Sequence, residues 1–206
     1  MWLPVTLHGR KARRAGSTSA LTTYLATTDA DATAAKIKGA GGQILMDPMD
    51  VMDVGRMAVA TDVTGAAFGI WQARSHSGAQ IANAPGAQAW NEQFSRDFEG
   101  AKAFYAAVFG YSFGDMSTAE FSYATLLLSG REVGGIGAYP ADTPASQPAV
   151  WGTYFGTADA DASVAAVVQR GGSVVRPASD SPYGRLATVA DDQGSIFSLI
   201  TPAPSA

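Results

Sequence analysis

Apolar and polar positions along this chain fall into a pattern that occurs twice. TYLATTDADATAAKIKGAGG, beginning at Thr23, matches TYFGTADADASVAAVVQRGG, beginning at Thr153, and GRMAVATDVTGAAFGIW, beginning at Gly55, matches GRLATVADDQGSIFSLI, beginning at Gly184. Alanine-rich composition raises chance matches. The shared Tyr24/Tyr154, Asp29/Asp159, Arg56/Arg185, Asp62/Asp191 and Gly65/Gly194 do not arise that way, so the two segments read as a duplication. Each copy predicts the same order of elements. A strand over 22–27 or 151–157 ends at an aspartate suited to cap a helix. Helices follow over 30–40 and 160–170, with Ile37 in one and Val164, Val167 and Val168 in the other at helical spacing. A Gly-Gly pair supplies the left-handed residue that ends each helix. Then come a β-branched strand (QILM, SVVR), a loop, and a hairpin whose turns DVTG and DDQG put glycine where φ must be positive. The unit is β-α-β-β-β.

A third, more diverged unit lies between them. AWNEQF reads as a strand and SRDFEGAKAFYAAVFG as a helix with Phe98, Ala101, Phe104, Tyr105, Val108 and Phe109 on one broad face. The strands YSFGDM, FSYATLLL and REVGGIGAY follow. Segments 73–87 and 140–149 carry the Pro and Gly of linkers. The expected organisation is a basic tail over 1–19, one module over 20–72, a linker over 73–87 and a pair of modules over 88–202.

Composition narrows the function classes. Apolar residues make up 47% and charged residues 16%, which is enough to build a core and too apolar for a disordered chain. No run is long and apolar enough for a membrane helix. Cysteine is absent, which removes disulfides and thiolate chemistry together. A net charge of −4 gives no basic surface for nucleic acid. Arg10, Lys11, Arg13 and Arg14 are concentrated in the tail, but after its short apolar stretch, the wrong order for a secretory signal. A cytoplasmic location is the expectation.

The helix SRDFEGAKAFYAAVFGYSF, the start W-x-x-Y-F-x-x-x-D-A-D-A at Trp151, and the doubled GR…D-x-x-G-x-x-F resemble the vicinal oxygen chelate superfamily. That superfamily comprises glyoxalase I, bleomycin-resistance and ring-cleaving dioxygenase proteins. The resemblance covers about 20–202 and is strongest to an actinobacterial branch with tandem glyoxalase-like domains. It implies an α+β fold in which paired βαβββ modules curl into a cup that holds the ligand, helices outside. The module over 20–72 lacks its usual preceding partner, so an N-terminally incomplete chain and a homodimer through 20–72 are expected.

The resemblance also implies where a metal would be held. First-strand ligands fall at Trp90, Gly152 and Thr22, and late-strand ligands at Ser198 and Gly69. None is a strong donor, and His8 and His76 fall in the tail and a linker. The expectation is a protein with no metal and no cofactor that binds a small apolar or aromatic molecule. An active lyase or oxygenase of the same superfamily, and a structural remnant of a truncated gene, are the alternatives.

Candidate residues follow from strand parity. Glu92, Tyr154 and Tyr24 lie five positions before the helix caps, on the ligand face; Glu92 and Tyr154 are the candidate catalytic pair. Trp90, Phe94, Tyr123, Tyr183, Arg185, Tyr24, Met49 and Met52 are the candidate ligand contacts. Arg56 and Arg185, each after a glycine at a strand start, read either as ion pairs to nearby aspartates or as anion contacts. DPMDVMDVG lacks the alternate oxygen donors of a calcium loop and is expected to form a mobile lid, with Met49, Met52 and Tyr183 over the ligand.

Overall fold

In a computed structural model, residues 19–203 are described, so the basic stretch at 10–14 lies outside the described residues. The elements are β1 (Tyr24–Thr27), α1 (Ala30–Gly39), β2 (Gln43–Val51), β3 (Gly55–Thr61) and β4 (Ala67–Ala73). Next come β5 (Gln88–Ser95), α2 (Phe98–Phe109), β6 (Ser112–Asp115), β7 (Tyr123–Leu128) and β8 (Arg131–Ala138). The chain ends with β9 (Val150–Gly156), α3 (Ala160–Gln169), β10 (Ser173–Ser181), β11 (Gly184–Ala190) and β12 (Ile196–Pro202). That is three rounds of β-α-β-β-β, an α+β architecture. Among the described residues no helix is long and apolar enough to cross a membrane.

Local chemistry explains the repeated helix ends. The Asp29, Asp97 and Asp159 side chains accept from the N–H groups of Ala32, Gly100 and Ala162, each at 2.9 Å. Such caps contribute about 1 kcal/mol each. At the other end of α1, Gly41 has φ +88° and the Gly42 N–H bonds the Ile37 carbonyl at 2.9 Å.

The chain divides into two compact units, the first comprising Thr22–Ala79 with Asn91–Trp151, the second Gln80–Trp90 with the chain from Gly152 onward. In the first unit, one sheet runs β1-β4-β3-β2 and β8 lies between β5 and β7 in another, with β6 outermost. The β1/β4 and β5/β8 pairs are parallel and the hairpins antiparallel. The core joins Leu25, Ile37, Ala58, Phe68 and Ile70 to Ala101, Phe104, Tyr105 and Val108 of α2, with Leu126 and Ile136 beneath. Phe68 meets the rings of Phe104, Tyr105 and Phe109 edge-on at about 6 Å.

Asp62 fixes this junction. Its Oδ1 accepts from the N–H groups of Thr64 and Ala66 and from Thr64 Oγ1, which forms the turn. Its Oδ2 accepts from Tyr105 Oη at 2.9 Å and Gln93 Nε2 at 3.1 Å, and Tyr105 Oη accepts from Trp151 Nε1 at 2.7 Å. Burial, and then the neighbouring Asp62 charge, push the Tyr105 phenol well above its usual range. The duplicate Asp191 keeps only the turn, accepting from the N–H groups of Gln193 and Ser195.

The second unit forms a sheet in the order β10-β11-β12-β9, with β9 and β12 parallel. Gly156 lets the segment at 84–87 lie against β9. Its N–H bonds the Ala87 carbonyl at 2.8 Å, and a Cβ there would stand 2.9 Å from the Ala84 oxygen. The valine face expected on α3 is weakly buried: Ala160 is its one fully buried residue and Val168 remains 50% exposed.

Two arginines clasp helix to strand in the same way. Arg56 donates to Asp31 at 2.8 and 2.9 Å and to Asp50 at 3.0 Å; Arg185 donates to Asp161 and Asp180, each at 3.0 Å. These guanidinium bonds hold the Asp31, Asp50 and Asp161 carboxyls below their usual range. A depressed folded-state pKa adds stability that is present above the unfolded value, about 4, and lost as pH falls through the folded value. Arg56→Gln with Arg185→Gln is therefore expected to lose less melting temperature than wild type between about pH 6 and pH 3. Calorimetry across a pH series checks this, and parallel acid limbs would refute it. In urea denaturation at neutral pH, Tyr105→Phe is expected to cost about 1–2 kcal/mol. Asp62→Ala, which leaves several buried donors unmatched, is expected to cost about 3 kcal/mol or more.

Candidate functional site

β5 presents two unlike faces. Asn91, Gln93 and Ser95 are buried on one side, where Asn91 Oδ1 accepts from Thr23 Oγ1 at 3.2 Å and Gln93 reaches Asp62. Glu92 and Phe94 project from the other. Glu92 is only 7% exposed, and its Oε2 accepts from Tyr123 Oη at 2.7 Å.

Around this pair lies a continuous aromatic surface. Tyr123 stacks on Phe121 at 5.7 Å and 19°, and Phe94 stacks on Tyr139 at 5.9 Å and 20°. Phe94 also faces Tyr123, tilted at 6.5 Å. Arg96 lies 5.9 Å over the Tyr139 ring and donates to the carbonyls of Thr143 and Pro144, while Tyr139 Oη donates to the Pro148 carbonyl at 2.8 Å. The segment at 140–149 is thus tied down beside the rings.

Glycines form the floor. Built Cβ atoms on Gly135 and Gly137 would collide with the Tyr123 hydroxyl and the Phe94 ring, closer than the 3.0 Å that real Cβ atoms essentially never breach. A Cβ on Gly114 would stand 2.6 Å from Thr125 Oγ1. Glycine inside a strand marks close approach of a neighbour, and here three glycines lower the sheet so that large side chains lie flat on it. Phe121, Thr125, Tyr139 and the glycine floor are absent from the sequence-based candidates. Their signal was the spacing of Gly135 and Gly137 in GGIG, opposite in parity to the core residue Ile136.

Strand register relates this site to the other modules. Glu92 lies opposite Gly135 across the parallel β5/β8 pair, Tyr24 opposite Gly69 across β1/β4, and Tyr154 opposite Ser198 across β9/β12. In the first module the equivalent face is sealed. Tyr24 donates to Met57 Sδ at 3.9 Å, its ring fills the space above Gly69, and Trp71 meets it edge-on at 6.5 Å. Arg74 and His76 fold back to the Val54 carbonyl, and Trp71 Nε1 donates to the His76 carbonyl, all at 3.0–3.1 Å. Tyr24, Met57 and Trp71 are consequently buried within the chain, and burial raises the Tyr24 pKa. The segment at 74–76 thus lies against this face.

Of the candidate residues, Glu92, Phe94 and Tyr123 come together, while Tyr24 lies on the other sheet of the same unit. In the second unit, Trp90 and Tyr154 are half-buried, Tyr183 is 60% exposed and Arg185 is engaged by Asp161 and Asp180. The expected lid is a different structure. β2 extends to Val51 and pairs Met49 with Met57, Asp50 with Arg56 and Val51 with Gly55. Met49 and Met52 are 48% and 81% exposed, Met52 at the turn with φ +46°. Register shifts between Ile44 and Met46 and between Met46 and Met49 break the two-residue alternation, and Pro48 is tolerated on this edge strand, so the segment does not read as β from sequence.

Among the described residues no three His, Asp or Glu side chains stand together. The late-strand position Gly69, and Gly135 at the same register in the next module, have no room for a ligand side chain, and Ser198 Oγ is hydrogen-bonded to Thr188 Oγ1 at 3.2 Å.

Repeated βαβββ modules with curled mixed sheets and outward helices define a glyoxalase-type fold. Residues 75–199 match the family described as Glyoxalase/Bleomycin resistance protein/Dioxygenase superfamily, and the chain belongs to it. It is 41% identical over 184 residues to CFP32 of Mycobacterium tuberculosis, whose name places it provisionally among the glyoxylases; the match covers 88% of this chain and 69% of that protein. It is 36% identical over 185 residues to the anthracycline biosynthesis protein DauV of Streptomyces sp. strain C5, covering 87% and 64%. The chain thus spans about two thirds of the length of these relatives. Among solved structures it is similar to the Mn(II)-bound glyoxalase of Novosphingobium aromaticivorans, with TM-score 0.56 and 13% identity, covering 89% and 68%. It is also similar to the 2,3-dioxygenase LapB of Pseudomonas sp. KL28, with TM-score 0.56 and 11% identity, covering 92% and 75%. At these identities the likeness is one of fold.

Proposed function

We propose that this chain is a glyoxalase/bleomycin-resistance-like protein that binds a small aromatic or apolar metabolite without a metal. The pair of buried Glu92 and half-buried Tyr123, set among the rings of Phe94, Phe121 and Tyr139, is the observation that carries this reading. Rings supply area and the carboxylate–phenol pair supplies direction, the usual division of labour in small-molecule sites. The biosynthetic role in the names of two relatives, DauV and DnrV, is in keeping with an aromatic ligand. A second reading, a lyase or oxygenase of the same superfamily that uses Glu92, is favoured by the burial of the Glu92 carboxylate.

A thermal-shift screen with catechols, fused-ring quinones, antibiotics and methylglyoxal–thiol adducts tests the proposal. A flat aromatic compound is expected to raise the melting temperature, and Phe94→Ala to weaken its binding about tenfold or more. Stabilisation by none of these compounds would count against binding. Glu92→Gln separates the two readings, because loss of turnover with binding retained defines the enzyme. A homodimer through 20–72 is also part of the proposal. The exposed Leu45, Met46, Met49 and Met52 are the apolar positions that such an interface would cover. A dimeric mass by light scattering at micromolar concentration is expected, and a monomeric mass would exclude it.

A further inference from the structure

We infer that Tyr123, seated on the bare backbone of Gly135, occupies the place of a late-strand metal-ligand side chain and is the specificity-determining partner of Glu92. Three observations meet at this point. Parallel register sets Glu92 and Gly135 side by side across β5 and β8, so a side chain at 135 would rise beside the carboxylate. That space is filled by the Tyr123 hydroxyl, since any Cβ on Gly135 would collide with it. The hydroxyl donates to Glu92 at 2.7 Å, so the carboxylate bonds a phenol in this position.

The same replacement occurs independently in the first module, where the Tyr24 ring lies over Gly69. There the occupant comes from the first strand, whereas Tyr123 comes from β7. Two different chain segments therefore close the equivalent position of two modules, which points to loss of the metal-ligand side chain and not to one accidental rotamer.

The consequence is a class of ligand. A metal site selects molecules by an oxygen that the ion can polarise. A phenol–carboxylate pair whose O–H is already given to Glu92 presents acceptor oxygens, so beside stacked rings it selects a flat molecule bearing a hydroxyl donor in reach of the pair, recognised by hydrogen bonding and stacking. Gly135 and Tyr123 then act as one unit: the glycine is required because the tyrosine is present.

This inference deepens the metal-free binding reading, and its decisive measurement uses no ligand, so either can fail alone. In a double-mutant cycle, Gly135→Ala is expected to lower the melting temperature by several degrees in the wild-type chain and by a degree or less in the Tyr123→Ala background. Gly69→Ala with Tyr24→Ala provides the parallel cycle should the first variant fold poorly. Equal losses in both backgrounds would overturn the seat. Mn(II) titrated calorimetrically into the wild-type chain is expected to give no saturable binding. One tightly bound Mn(II) per chain that is lost in Glu92→Gln would overturn the replacement of metal by Tyr123.

Discussion

A buried carboxylate organises the first unit. Asp62 accepts from the turn that carries it, from Tyr105 on α2 and from Gln93 on β5. A charge removed from water is tolerated only where hydrogen bonds replace hydration, and each missing partner is costly. Asp62 therefore accepts only arrangements in which the turn, helix and strand arrive together. Hydrophobic contact among Phe68, Phe104 and Phe109 supplies area but little direction. The Asp62 bonds supply the direction, and because Gln93 is held on one face of β5, Glu92 and Phe94 must emerge on the other. The orientation of the candidate site is set by a residue that does not belong to it.

The site face itself is a compromise between glycine and aromatic residues. Glycine in a strand gives up roughly 0.5–1 kcal/mol relative to alanine. Gly114, Gly135 and Gly137 accept that loss so that Thr125, Tyr123 and Phe94 can lie against the sheet. The rings regain more by burial and stacking than the glycines give up. Neither half is useful alone: glycines without rings leave a weak strand, and rings over side chains would be lifted out of reach of Glu92.

What the sequence disclosed follows the range of the interactions. Helix caps, glycine stops and hairpin turns involve neighbours within a few residues, so Asp29, Asp159, Gly41 and Gly65 are readable from spacing. The duplication added long-range order, because matched residues in two copies share a place in one fold. Three features remained hidden. The β2 pairing of Met49 and Asp50 is obscured because bulges destroy the alternation by which strands are read. The second role of Asp62 depends on a helix 43 positions away, and its duplicate Asp191 has only the turn role. The floor at Gly135 and Gly137 is visible only when β8 is set against β5 and β7.

One template has been put to two uses within the first unit. Register equates Tyr24, Met57 and Trp71 in the first module with Glu92, Tyr123 and Gly137 in the next. In the first set, large apolar groups bury one another and the segment at 74–76 folds back to close the face. In the second, a carboxylate and a phenol replace two of those groups, and a glycine replaces the tryptophan that filled the space. Trp71 and Gly137 mark the difference most sharply, since exchanging an indole for a hydrogen leaves a space that the Phe94 ring occupies. Under the proposed function, recognition chemistry falls to Glu92 and Tyr123, and the first module is their support, held in register by Asp62.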